Sequence, residues 1–590
     1  MYEENADKRL HSMKDGDIFR RLMTYAKPFK KQFTVIFILI FLTVVAVVLE
    51  PVFIGRALDL IEGGEYTLPK LLNIVYILAG ILVVTKTVDY VVTIKLQTLG
   101  QSIIYNIRDE IFTHLEHHDI AYLNSTPTGA FVTRVTNDTN TLNEAYTTVV
   151  SNVVRSTFLF VAIITIMFVL NATLAFYVIL TLPVIIVLTF FFRIASRKAY
   201  RKVRANISKV NAFLAEHLSG MKIIQIFNQQ ERKASEFDER NKKLKYSYYR
   251  QILTFGVFRP TMYFVYIIAT IIVFYFGGIG VIEGTISVGL LMTFYIFTGR
   301  LFEPINQLAE SYNVIQSAFA SSERIFGIMD TVPQVLDDED SIELTDIKGE
   351  IEFKDVWFKY VEDEWVLKGV SFHVSPKDSV AFVGATGSGK TTILSLITRN
   401  YDIQQGQILI DGIDIRRIKK SSLRSFIGQM LQDVFMFSGT IESNIKLRSD
   451  DITQEEMEQA CEYVNANYFI NKLDNRFDEE VRERGNNFSS GQRQLLSFAR
   501  TLVHKPKVMI LDEATANIDT ETEQIIQDSL EKMMTIGTML IVAHRLSTIQ
   551  HVDNIIVLSK GEIIEQGNHQ ELLKNKGHYF NLYKLQYQEK

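Results

Sequence analysis

The chain has 590 residues, more than one folding unit at about 150 residues per domain, and balances 62 Lys and Arg against 67 Asp and Glu for a net charge of −5. That balance lacks the basic surplus of a nucleic-acid binder, and 10 prolines with 31 glycines exclude a collagen-like or low-complexity chain. A single cysteine, Cys461, excludes a disulfide framework and a cysteine-rich zinc site, and reads as a small core residue on a helix. The 47% hydrophobic content is an average over two unlike halves: long uncharged apolar runs first, then a soluble α/β pattern.

Residues 1–32 form an N-terminal segment in which Asp17 to Lys31 is amphipathic and basic, suited to lying at a membrane surface. Residues 33–325 hold the apolar runs. The first is uncharged from Phe33 to Leu49 and continues past Glu50 and Pro51 to Ile54. It is too long for a cleaved leader and reads as a span that stays, kinked at Pro51. A second span runs from about Leu71 past Lys86 and Asp89. Ser156 to Phe192 is uncharged and too long for one crossing, so a turn at Asn171-Ala172-Thr173 divides it into spans three and four. Pro260 to Ile282 is the fifth, and Gly284 to Gly299 begins the sixth after a tight turn at Glu283-Gly284.

Six spans put both termini on one side. The connection from Ala199 to Arg250 is dense in Lys and Arg, whereas the short turns near Glu62 and Glu283 are not. The positive-inside bias therefore assigns the long connections and both termini to the cytoplasm. Those connections, about Ile94–Leu142 and Phe191–Gln251, mix apolar and charged residues at helical spacing, as in Ile104, Ile107, Ile111 and Leu115. They read as spans two to five continuing beyond the membrane. Asp89, Arg155, Arg259 and Arg300 are costly in hydrocarbon. Each is either a substrate contact or half of a structural ion pair, or lies nearer the interface. Tyr263, Phe264, Tyr266, Phe274, Tyr295 and Phe297 are either the lining of an aromatic cavity or plain packing and lipid contact.

Residues 326–346 form a linker, with Asp337-Asp338-Glu339-Asp340 reading as solvated, and residues 347–590 a soluble domain. Val380 to Val383 is a short buried strand. It runs into Gly384-Ala-Thr-Gly387-Ser-Gly389-Lys390-Thr391 and then an apolar helix. This is G-x-x-x-x-G-K-T in its strand–loop–helix setting. Glycines let backbone N–H groups wrap phosphates, Lys390 neutralises their outer oxygens, and the Thr391 hydroxyl can ligate Mg²⁺. A second buried strand, Val508 to Leu511, ends in Asp512-Glu513. Asp512 is placed to hold Mg²⁺ through water, and Glu513 to polarise the water attacking a γ-phosphate.

Further segments extend the pattern. Asn487-Phe-Ser-Ser-Gly-Gln-Arg-Gln494 resembles the signature of ATP-binding-cassette (ABC) proteins, and Leu511 to Asp519 their Walker B and D-loop. Val542 to Ser547, with His544, is similar to the switch-histidine segment. Gln432 matches the Q-loop of the exporter branch, Tyr360 the aromatic that stacks on adenine, and Val481-Arg-Glu-Arg-Gly485 the exporter X-loop. Thr126–Asp138 and Gly220–Asn228 look like the segments beside the two coupling helices. The resemblance covers nearly the whole chain in the right order.

It implies an α-helical membrane domain of six transmembrane helices with long cytoplasmic extensions, followed by an α/β P-loop ABC ATPase domain. ATP and Mg²⁺ are the implied ligands. Gly384, Ala385, Thr386, Gly387, Ser388, Gly389, Lys390, Thr391 and Thr392 would hold phosphate; Tyr360 would hold the base. Thr391, Gln432 and Asp512 would hold the metal, and Glu513 with His544 would catalyse. Ser489, Ser490, Gly491, Gln492 and Asp519 would act in trans, because in this family each nucleotide sits between the phosphate loop of one domain and the signature of the other. One chain has one of each, so the resemblance implies a dimer.

The family's signature is usually L-S-G-G-Q, and here Ser490 replaces its first glycine. A side chain now stands where the backbone must approach a nucleotide closely, while Glu513 and His544 match the family pattern. That split implies a heterodimer. Its partner would be a non-identical half-transporter with a degenerate Walker B, as in bacterial heterodimeric multidrug exporters. The expected activity is ATP-driven export of amphipathic small molecules across the cell membrane of a bacterial host. The alternatives are a lipid or peptide exporter, a homodimer tolerating Ser490, and, from a different class, an ATP-gated channel or regulatory subunit.

Overall fold

The computed structural model describes residues 13–63, 67–361, 364–447, 449, 451–512, 520–542 and 549–588. They form two bodies: Met1–Glu116 with Thr128–Thr331, and His117–Pro127 with Val332–Lys590.

In the first body, helix α1 (Asp15–Ala26) buries Ile18, Leu22 and Ala26 on one face. Pro28 then turns the chain into α2 (Lys30–Glu62). The other long helices are α3 (Leu68–Glu116), a third run over Thr128–Leu170, a fourth over Ala172–Ser219, α4 (Gln230–Ile282) and α5 (Val288–Met329). Six helices among the described residues are long and apolar enough to cross a membrane. The turn expected at Asn171 is present: the third run ends at Leu170, and the Asn171 side chain caps the next helix by accepting from Leu174 N at 3.0 Å. At 49 residues, α3 spans about 74 Å by the helical rise, more than twice the hydrocarbon core, so much of it projects beyond the bilayer.

Proline at position 51 removes the amide that would bond the Val47 carbonyl four residues back. Arg300 of α5 fills the vacancy. Its Nη1 donates to Val47 O at 2.7 Å and its Nη2 to Glu50 Oε2 at 2.9 Å. Toward the outer ends of both helices, Thr293 Oγ1 donates to Pro51 O at 3.1 Å, and Asp59 accepts from Gly289 N at 2.7 Å. Gly55 and Gly289 let the two backbones meet here; a methyl group on Gly289 would stand 2.0 Å from the Gly55 carbonyl oxygen. Arg300 therefore sits in an ion pair, as does Arg155, which reaches Asp89 at 3.2 Å.

The third run is interrupted by two π-helical turns, Arg134–Asp138 and Ala145–Val149. The first presents buried Asp138 to Ser321 Oγ at 2.8 Å and Arg324 Nε at 2.9 Å. Arg108 of α3 donates to the Val135 carbonyl within that turn at 3.2 Å.

The second body is built on two sheets. The smaller has the order β2-β1-β4-β5, from Trp365–Val374, Ile351–Lys359, Gln405–Ile410 and Ile413–Asp414. The larger uses β3 (Ser379–Val383), β6 (Ile427–Met430), β9 (Val508–Asp512), β10 (Thr538–Val542), β11 (Asn554–Ser559) and β12 (Glu562–Gly567), with β7 (Gly439–Thr440) and β8 (Glu480–Val481) pairing apart from it. Its order is β12-β11-β3-β10-β9-β6, and all pairs are parallel except β11–β12. Every residue of β3 and β10 is buried, which is why both read as unbroken apolar runs. Cys461 is fully buried in this core, and burial pushes its thiol up to about 12, so it is an inert packing group.

In the acidic stretch Asp337 is engaged, while Asp338, Glu339 and Asp340 are exposed. Asp337 pairs with Arg399 at 3.0 Å, and Arg399, 2% exposed, also binds Asp402, the Leu336 carbonyl and the Ile418 carbonyl. Ile342 bridges to Ile418. The sixth apolar helix runs on to Met329, a turn beyond the expected start of the linker.

Removing Arg300 should strand both Glu50 and the Val47 carbonyl. Arg300→Met is expected to lower the melting temperature of the detergent-solubilised protein. In a Pro51→Ala background, whose restored amide takes Val47, the cost should shrink by ~0.5–3 kcal/mol. Additive effects in that double-mutant cycle would show that Arg300 does not serve the kink.

Candidate nucleotide site

The parallel strands of the larger sheet end together along one edge. Val542 pairs in register with both Asp512 and Phe382, and Met430 with Leu511. The Gly384 loop leaves β3, Asp512 closes β9, and Gln432 follows β6 by two residues, so all three lie at the carboxyl ends of the strands, where open α/β sheets bind ligands.

The loop is shaped before any ligand arrives. A methyl group on Gly384 would stand 2.2 Å from the Leu558 carbonyl oxygen. Gly389 has φ 104°, left-handed, and starts helix α6 (Lys390–Ile397). Lys390 is 6% exposed, and its ammonium donates to the carbonyls of Gly384 at 2.7 Å and Ala385 at 3.1 Å. The backbone closes a turn through Ser388 N and Ala385 O at 3.1 Å, and buried Ser388 Oγ makes no hydrogen bond among the described residues. A hydroxyl left without a protein partner inside the loop fits a site whose last acceptor is an anionic ligand. The N-terminus of α6 adds its free amides and the positive end of its dipole.

Around this loop, Thr391 is exposed and Thr392 buried. The Tyr360 hydroxyl donates to Thr392 Oγ1 at 3.1 Å. The Tyr360 ring stands edge-on to Phe358 and Tyr401, with one face open for stacking at 48% exposure. Thr391, Gln432 and Asp512 offer a hydroxyl, an amide carbonyl and a carboxylate. These are hard oxygen donors fitted to Mg²⁺.

The signature residues lie at the start of another helix, α7 (Ser490–Val503). Ser489 is its N-cap: its Oγ accepts from Gln492 N at 3.2 Å, and Gln492 Oε1 accepts from Ser489 N at 2.9 Å. Gly491 is buried and Ser490 half-buried in the first turn. This capping box is legible as S-x-x-Q before an apolar run, a signal not used in the sequence reading. Arg399 was also missed there, because three of its four contacts, Leu336, Asp337 and Ile418, lie 19 to 63 residues away in the chain. Glu513 and Asp519 follow β9, and His544 follows β10; all three lie outside the described residues.

Comparison with known proteins matches residues 33–305 to the ABC transporter transmembrane region and residues 367–516 to the ABC transporter domain. The uncharacterized ABC transporter ATP-binding protein YknV of Bacillus subtilis is 38% identical over 96% of this chain and 94% of its own. The probable multidrug resistance ABC transporter ATP-binding/permease protein YheH of the same organism is 38% identical, covering 90% and 79%. Among solved structures, a bacterial Atm1-family ABC exporter with ATP bound superimposes with a TM-score of 0.77 at 25% identity, covering 94% of this chain and 98% of that one.

Gly384→Ala is expected to destabilise the second body by ~1–3 kcal/mol, since the added methyl cannot fit beside Leu558 without moving backbone. Calorimetry should show its transition lowered by several degrees. An unchanged transition would mean the loop relaxes freely.

Proposed function

This chain belongs to the ABC transporters as an exporter with transmembrane and ATP-binding domains fused, its ATP hydrolysis coupled to transport, and on that premise we propose that it exports amphipathic small molecules as one half of a heterodimer. The observation that carries the pairing is Ser490 in the signature of a chain whose phosphate loop is otherwise complete. The name of its relative YheH favours the multidrug reading.

Each residue has a role in this reading. Lys390 exchanges the carbonyls of Gly384 and Ala385 for phosphate oxygens. Backbone amides of Thr386 to Thr392 and the Ser388 hydroxyl donate to the same phosphates, and Tyr360 stacks on the base. Thr391, Gln432 and Asp512 would hold Mg²⁺, which supplies charge neutralisation on the phosphate oxygens. Glu513 takes the proton of the attacking water and His544 steadies the γ-phosphate. Asp519 and the Ser489–Gln492 turn serve the nucleotide of the opposing subunit. This chain's phosphate loop then meets a good signature from the partner. Ser490 faces a partner loop whose Walker B lacks a catalytic carboxylate. Both termini and both ATP sites lie in the cytoplasm of a bacterial cell, as the basic residues between Ala199 and Arg250 support.

Glu513→Gln should reduce ATP turnover of the assembly by about 100-fold or more while leaving ATP binding intact. Retained turnover would remove Glu513 from the mechanism. Ser490→Gly should raise ATPase activity if that turn lines a weakened second site. Vigorous hydrolysis by the chain purified alone, unchanged by Ser490→Gly, would speak for identical copies instead.

A further inference from the structure

A row of polar groups from four helices runs through the membrane body. Asp89 pairs with Arg155 at 3.2 Å. The next residue, Ser156, donates to Gln307 Oε1 at 2.8 Å, and Gln307 Nε2 donates to Glu303 Oε1 at 3.0 Å. One turn further along α5, Arg300 pairs with Glu50 at 2.9 Å. Two guanidiniums are thus matched by two carboxylates, and the third carboxylate, Glu303, has only a neutral amide among the described residues.

Glu303 lies 15 residues past Val288, where α5 begins, so it sits about 22 Å in from that helix end, within a hydrocarbon layer about 30 Å thick. It is exposed on the surface of the body. An exposed carboxylate at that depth is tolerated against a water-filled chamber and not against lipid. The next residue, Pro304, has no amide hydrogen to give the Arg300 carbonyl, so a second acceptor lies one turn from the carboxylate. On the same helix, Phe302 packs edge-on to Tyr266 with centroids 5.7 Å apart, and Tyr263 follows at 6.0 Å with 63% exposure. Arg56, Lys86 and Arg259, further bases of the long apolar helices, make no ion pair with this row among the described residues.

From this arrangement we propose that Glu303 is the counter-ion of a substrate subsite for lipophilic aromatic cations. The positive centre sits on the Glu303 carboxylate and the Arg300 carbonyl, and the aromatic body lies on the faces of Tyr266 and Tyr263, where cation–π attraction adds to apolar contact. Arg155 and Arg300 offer no free charge to an anionic amphiphile, because Asp89 and Glu50 already answer them. The assignment rests on the export reading above for the identity of the chamber.

Two ions of equal size and shape and opposite charge test it: tetraphenylphosphonium and tetraphenylborate. Equilibrium binding is measured on the purified assembly in phosphatidylcholine nanodiscs without nucleotide. The unmodified protein should hold the phosphonium about tenfold or more tighter than the borate. Glu303→Gln should remove that preference and Glu303→Asp keep most of it, with monodisperse elution checking that each variant is folded. Equal affinities in the unmodified protein, which need no variant, overturn the proposal. So does a preference that survives Glu303→Gln. ATP-driven dye uptake into inside-out vesicles tests the export reading separately: a cation preference without uptake supports the subsite and sinks the pump.

Discussion

Hydrocarbon accepts no hydrogen bonds and solvates no charge, and the membrane half of this chain is arranged around that constraint. Long helices satisfy most of the backbone internally. Where they fail to, a side chain from another helix completes the set. Pro51 leaves the Val47 carbonyl bare and Arg300 covers it. The same device recurs on the stretch that projects past the apolar spans, where Arg108 donates to the Val135 carbonyl inside a π-turn. The polar groups that look like intrusions into an apolar domain are, in these places, what allows its helices to bend and step.

The soluble half solves a related problem with an opposite aim. Its strand edge must leave donors unspent for a ligand. Glycines at 384 and 389 hold the backbone in shapes a side chain would forbid, and the dipole of α6 points at the opening. Lys390 is nearly buried, and its ammonium donates to the carbonyls of Gly384 and Ala385. Exchanging these neutral acceptors for phosphate oxygens replaces them with stronger, charge-assisted bonds.

Much of this was legible in the sequence because it is local. Twenty apolar residues announce a span whatever their neighbours, and Asn171 announces a turn by its own capping chemistry. The phosphate loop is a contiguous string whose spacing states its geometry. What escaped is non-local. The sequence reading offered an ion pair as one alternative for Asp89, Arg155 and Arg300, but the pairing of Arg155 with Asp89 and of Arg300 with Glu50 joins different helices. Asp337 of the acidic run read as solvated with its neighbours because its partner Arg399 is 62 residues away. The two π-turns carry no periodicity of their own. Glu303 was passed over because the apolar run appears to end at Gly299, whereas the helix continues unbroken to Met329.

The closed bracket formed by Ser489 and Gln492 bears on how this chain could change over generations. The first turn of α7 is secured by the residues on either side of position 490, so the domain's folding is nearly indifferent to what stands there. On the pairing proposed above, an exchange of serine and glycine there is registered by the domain that docks against the turn, so selection would act on the association more than on the architecture.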